Sequence, residues 1–230
     1  MITAILRLPL SRLTRTRRAW FAIVGWTVLA VIAAFVAHER GSPHAADHVL
    51  VGPCGGIALP LLAYGIVGAL VGAEGLARSG APLVRFGAPP GRVALLTVIV
   101  GALAGALLGA FLLALAAAVA HGAGDPPLFR DIGTSAYVGA LGGAAYATLF
   151  AFGGAFGARG GGRTIALVLD YLLGSGAGSF ALVTPRAHLR NLLGGAAPLE
   201  VAQRTSAVVL ALLLIAFAAL AVARGRRSVI

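Results

Sequence analysis

The sequence has no lysine, and its charged residues make up 11% of 230 positions. A soluble domain carries roughly 25% charged residues to cover its surface. This chain cannot cover itself that way: at 59% hydrophobic residues and a mean hydropathy of +0.95, lipid must be part of its solvent. Without lysine there is no G-x-x-x-x-G-K-[ST] phosphate loop. If ATP drives this protein, another chain binds the ATP. The single cysteine, Cys54, excludes an internal disulfide and a multi-cysteine metal centre. Acids are scarce as well, and the formal net charge of +11 comes from arginine alone. Basic proteins often bind nucleic acid. These arginines sit instead in short connectors between apolar runs, where a membrane topology signal is the simpler explanation. No nucleic-acid partner is expected. The sequence shows no nucleophile–base–acid set, no paired catalytic carboxylates and no haem or flavin signature, so the chain is not expected to be an enzyme or to hold a cofactor.

What is present is a series of long apolar runs. A spanning helix needs about 20 such residues. Six segments qualify, at about 19–37, 55–73, 93–120, 134–157, 164–183 and 206–223. The expected fold is an all-α integral membrane protein of six transmembrane helices (19–230) behind an amphipathic segment (1–18). The first run is too long for a signal-peptide core and has no clear cleavage site, since Phe35 stands where a small residue is wanted; it is read as an uncleaved span. Pro60 is expected to kink the second run.

With six spans, both termini fall on one side. That side holds Arg7, Arg12, Arg15, Arg17 and Arg18 in the N-terminal arm, then Arg78, Arg85, Arg92, Arg159, Arg163, Arg224, Arg226 and Arg227. The other side holds Arg40, Arg130, Arg186, Arg190 and Arg204, with most of the acids. The positive-inside rule then places both termini in the cytoplasm. The stretch "ILRLPLSRLTRTRRAW" reads, from about Pro9 onward, as a short helix in the membrane interface, with Arg12, Arg15, Arg17 and Arg18 towards anionic headgroups.

Gly101, Gly105 and Gly109 repeat every four residues, a spacing that lets helix backbones approach closely. The connector from Glu74 to Arg92 is too long for a tight turn. Pro82 and Pro89–Pro90 bracket a short helix near Leu83 to Gly87, which makes the loop a stiff handle between spans two and three. Asp170 is the sole acid well inside a span and is expected to face protein or water, as a pathway contact or a structural acid. His44, Asp47 and His48 in "HAADH" have the spacing of a divalent site, but no third strong ligand is near and a solvated loop is the better reading. His188 in "RAHLRN" is read as interfacial.

Taken in order, these features resemble the permease subunit of ABC-2 type transporters. In that family a basic amphipathic helix precedes span one, as "LSRLTRTRRAW" does here. After span two the family shows an acid, a glycine, leucines, then a proline and a basic residue; Glu74, Gly80, Leu83, Pro89 and Arg92 fall in that order, with Ala81 where the family has threonine. A proline-led, partly re-entrant outer segment between spans five and six resembles "TPRAHLRNLLGG". The resemblance implies an exporter subunit in the bacterial inner membrane, working by alternating access with a second permease subunit. A separate ATPase would supply ATP and Mg²⁺ chemistry. It makes Glu74, Arg78, Gly80, Leu83, Arg85, Pro89, Pro90 and Arg92 the coupling element that touches that ATPase. Two other classes fit the composition: a membrane anchor that recruits a partner, and an ion-coupled carrier.

Overall fold

Alanine, leucine, valine and isoleucine fill the apolar runs, and each run winds as helix because its backbone groups have no water to bond with. In the computed structural model the described residues are 2–41, 44–72, 74–122, 124–157 and 160–227, and they contain helices and no strand. Five helices are long and apolar enough to cross a membrane. The protein is a multi-pass membrane protein.

The N-terminal helix α1 (Ile2–Arg15) starts well before Pro9, which it includes. Thr16 separates it from α2 (Arg17–Glu39). The next long helix, Ala45–Val71, has three parts: α3 (Ala45–Val49), a π-helical stretch (Leu50–Ala58) and α4 (Leu59–Val71). It begins ten residues before the expected start at 55, because "AADHVLVGP" continues the winding. Pro60 does not simply kink it. The stretch ahead of Pro60 is under-wound, and the N–H of Leu59 reaches back five residues to the carbonyl of Cys54. Gly72 and Gly75, both at positive φ, end α4 and turn the chain.

The connector carries two short helices, α5 (Leu76–Ser79) and α6 (Ala81–Arg85). Pro82 lies inside the first turn of α6, where its missing N–H costs nothing, and Gly87 at φ 86° ends the turn. The expected helix near 83–87 is thus shifted towards the N-terminus. Pro90 opens α7 (Pro90–Ala120), and Pro127 precedes α8 (Leu128–Gly153).

The expected fifth span departs most from a regular helix. α9 (Gly162–Gly174) stops after 13 residues, about 20 Å at 1.5 Å per residue. The run "GSGAGS" from Gly174 breaks it. A 3₁₀ turn (Ser179–Val183) and a short helix α10 (Pro185–Leu192) follow before α11 (Gln203–Arg227).

α8 forms the centre. Of its most apolar stretch 72% is buried, against 17% for α2 and for α11 at the periphery. Tyr146 and Phe150, both fully buried, stack at 5.9 Å, and Tyr64 of α4 meets Phe150 edge-on. The antiparallel α7 and α8 approach so closely that a Cβ on Gly105 would strike the carbonyl of Gly143, and one on Gly109 that of Gly139. Gly105 and Gly109 therefore pack within the chain. A Cβ on Gly101 would meet only Leu70, at 3.4 Å, an ordinary contact.

α1 and the last turn of α11 lie at one end of the bundle. There Arg12 of α1 donates to the Leu70 carbonyl at 3.2 Å, and a Cβ on Gly91 would meet Arg226 of α11. The loop from Glu74 to Pro89 and the turn after α8 share this end, joined where Leu76 N–H bonds the Gly154 carbonyl. Residues 121–122 and 124–127, between α7 and α8, and the segment 175–202 lie at the opposite end.

Candidate functional site

The residues with chemistry converge where the fold is least regular, between α9 and α10. Asp170, on α9, is 4% exposed. Its carboxylate accepts the backbone N–H of Arg186 at 3.2 Å. That N–H belongs to the first turn of α10, so Asp170 supplies from another helix the cap that α10 lacks locally. The fully buried hydroxyl of Tyr146 lies beside the same carboxylate.

Arginine provides the reverse contact. Arg190 donates to the carbonyls of Ser175 (2.7 Å) and Gly176 (2.9 Å), just past the end of α9, and to Ala196 (3.0 Å). A cation at a helix C-terminus and an anion at a helix N-terminus are both favourable. Thus α9 and α10 are pinned together by an acid of α9 at the start of α10 and by an arginine from the last turn of α10 at the end of α9.

Arg186 reaches further. Its Nη1 donates to the carbonyl of Gly56 in the π-helical stretch, and its guanidinium lies over the Tyr171 ring at 4.2 Å. In a regular helix the Gly56 carbonyl would take the N–H four residues on. That residue is Pro60, which has none. Arg186 therefore bonds a carbonyl that proline sets free.

α10 is fixed to α11 by a buried polar network. His188 is fully buried rather than interfacial. Its Nε2 is 2.9 Å from the Leu182 carbonyl, which can only accept, so Nε2 carries the proton and Nδ1 accepts from Ser206 at 3.1 Å. Asn191 donates to Ser206 and to the Val201 carbonyl, and Gln203 donates to the Asn191 carbonyl.

Two apolar cavities flank α9, and Asp170 contributes to both. One, about 390 Å³, is walled by Phe152, Phe156, Ile165, Leu169 and Leu173. The other, about 330 Å³, lies towards α4. Asp170 and Gly174 are the buried residues of α9; Ile165, Val168, Tyr171 and Leu172 are each about half exposed or more.

The residues singled out in the connector form a second group at the terminal end. Arg78, Arg85, Phe86 and Arg92 are exposed, Phe86 at 91%, and Glu74 is exposed too. Leu83 and Val84 pack on a small cluster of Ile5, Ala88 and Val93, which ties the connector to α1. Gly80 is in close contact with Val93, and Pro89 and Pro90 form the start of α7. Arg163 donates to the Gly72 carbonyl at 3.3 Å, so with Arg12 it caps the end of α4 where the connector leaves. Arg15, Arg17 and Arg18 are exposed around the α1–α2 junction, where Trp20 donates to the Thr14 carbonyl. Arg159 lies outside the described residues.

His44 and Asp47 are 3.8 Å apart and exposed. No group of three His, Cys, Asp or Glu side chains among the described residues is arranged to hold a metal. Asp170 stood out in the sequence, but its neighbours Arg186 and Tyr146 did not, nor did the hold of Arg190 on the end of α9. No protein-family model and no curated protein matches the sequence.

Proposed function

We propose that this chain is a permease subunit of an ABC-2 type exporter, driven by a separate ATPase chain. The observation that carries the reading is α10. A short, Pro185-led helix, folded back between a broken apolar segment and the last long helix, sits where the resemblance implies a re-entrant outer segment. On this reading the path through α9, the 3₁₀ turn and α10 is the fifth of six crossings. The arginine-rich terminal end faces the cytoplasm of a bacterium, and α1 lies in the inner-membrane interface. The connector from Glu74 to Arg92 meets the ATPase, which binds ATP and Mg²⁺. Exposed arginines around Phe86 suit an acidic partner surface, and the anchorage of the connector to α1, α4 and α7 would transmit a push to three helices. Because Gly105 and Gly109 are occupied within the chain, a second permease subunit meets another face.

The test is affinity purification of the tagged chain in mild detergent, with mass identification of partners and an ATPase assay. A stoichiometric nucleotide-binding chain is expected. Replacing Pro89, Pro90 and Arg92 together by alanine is expected to leave insertion intact and to uncouple hydrolysis from transport. A well-folded chain that brings down no ATPase sinks the proposal and leaves the anchor and carrier readings.

A further inference from the structure

The charges at the α9–α10 junction do not balance. Arg186 and Arg190, one turn apart on α10, share a small pocket of about 60 Å³ with Gly55, Gly56 and Ser175. Arg190 is held by three carbonyls, and Arg186 by the Gly56 carbonyl and the Tyr171 ring. Carbonyl dipoles orient a guanidinium without neutralising it, and each guanidinium has more donors than these contacts use. Among the described residues, no carboxylate lies within ion-pair distance of either side chain. Asp170 is the one acid at the junction, and it is engaged by the backbone of Arg186. With Asp170 ionised, the three groups leave one net positive charge at this end of the bundle, where Arg186 and Arg190 are part-exposed and open to an outside anion.

An apolar groove adjoins this pocket and shares Gly56 and Arg186 with it. It runs between α4 and α9, lined by Ile57, Leu61, Val168 and Leu172. Ile57, Val168 and Leu172 are about half exposed or more, so the groove opens on the bundle's outer, lipid-facing surface. A cationic pocket continuous with an apolar groove that is open to the bilayer matches an amphiphile with a negative head.

We propose that Arg186 and Arg190 bind the anionic headgroup of a lipid whose acyl chain lies in the groove between α4 and α9. The planar guanidinium fork suits a phosphate or carboxylate head, and the Tyr171 ring holds one face of Arg186 so that its edge is presented. The inference does not depend on an ATPase or on transport.

The experiment is native mass spectrometry of the full chain from mild detergent, titrated with phosphatidylglycerol, phosphatidylcholine or inorganic phosphate. One phosphatidylglycerol is expected to stay bound per chain, with roughly tenfold preference over phosphatidylcholine. Val168→Trp fills the groove from an exposed position and leaves both arginines in the chain, and is expected to weaken retention by about the same factor. Arg186→Gln, which keeps a donor for Gly56, is expected to weaken it too. Equal retention of the two lipids overturns the proposal, as does full retention by Val168→Trp. Displacement of the lipid by inorganic phosphate overturns it as well, since it would reveal an anion pocket without a tail site.

Discussion

Gly139 and Gly143 show how a single atom decides a helix contact. Each presents a bare Cα to a carbonyl of the opposing helix, at Gly109 and Gly105. A larger side chain has nowhere to go, because the obstacle is backbone. Gly143→Leu is expected to force α7 and α8 apart, at about 1–3 kcal/mol for overpacking, read as a lower melting temperature in detergent. Gly101→Ala is the control: its nearest neighbour, Leu70, is at ordinary contact distance, and its melting temperature should match the parent. Asp170 permits a similar pair. Asp170→Asn keeps an oxygen for the N–H of Arg186 and is expected to melt near the parent. Asp170→Leu removes the acceptor and should cost about 1–2 kcal/mol. Equal melting of the two variants would remove the capping role.

At the scale of elements, the α9–α10 pair is the least regular part of the fold and the hardest to foresee. Five of the long helices are legible as apolar runs, because twenty uncharged residues leave the backbone no other way to satisfy itself. Their ends move by a few residues where proline or glycine resets them, as at Pro90 and Gly72, but the second starts ten residues early, at Ala45. The segment from Thr164 to Val183 has the composition of a span, yet "GSGAGS" ends the helix at Gly174. Composition counts hydropathy and does not register that glycine and serine withdraw helical preference just where Arg190 can take over the free carbonyls. Of the candidate site, Asp170 was visible as a lone acid in an apolar run. Its relation to Arg186, and that of Arg186 to Gly56, depends on residues far apart in sequence, for which one chain carries no local signal. Pro60 held the nearest clue, since a proline inside a helix leaves the carbonyl four residues back in need of a donor. Arg190 gives this scale its prediction. Arg190→Ala frees the carbonyls of Ser175, Gly176 and Ala196. Amide exchange across 175–196 is expected to speed up while that of α8 stays slow; unchanged exchange in the segment would show that the arginine does not hold it.

For the whole molecule, the governing asymmetry is the distribution of arginine between the ends of the bundle. One end gathers α1, the Glu74–Pro89 connector and the last turn of α11, and carries most of the arginines; Arg40, Arg130, Arg186, Arg190 and Arg204 belong to the other half. Arginine near a span resists export, so the richer end should stay in the cytoplasm. Two exposed phenylalanines allow a direct test, Phe86 at the tip of the connector (91% exposed) and Phe129 at the start of α8 (88%). The one native thiol, Cys54, is buried, and Cys54→Ala removes it at the cost of a small side chain. In that background Phe129→Cys is expected to react with a membrane-impermeant maleimide in intact cells, and Phe86→Cys only after lysis. The reverse pattern would put the arginine-rich end outside, and with it every exposed arginine of the connector beyond the reach of a cytoplasmic ATPase. Labelling of both from the same side would mean that α7 does not cross, because α7 is the long helix between the two positions. The pair therefore tests topology and the proposed ATPase contact together, since a connector that is not cytoplasmic cannot be the coupling element.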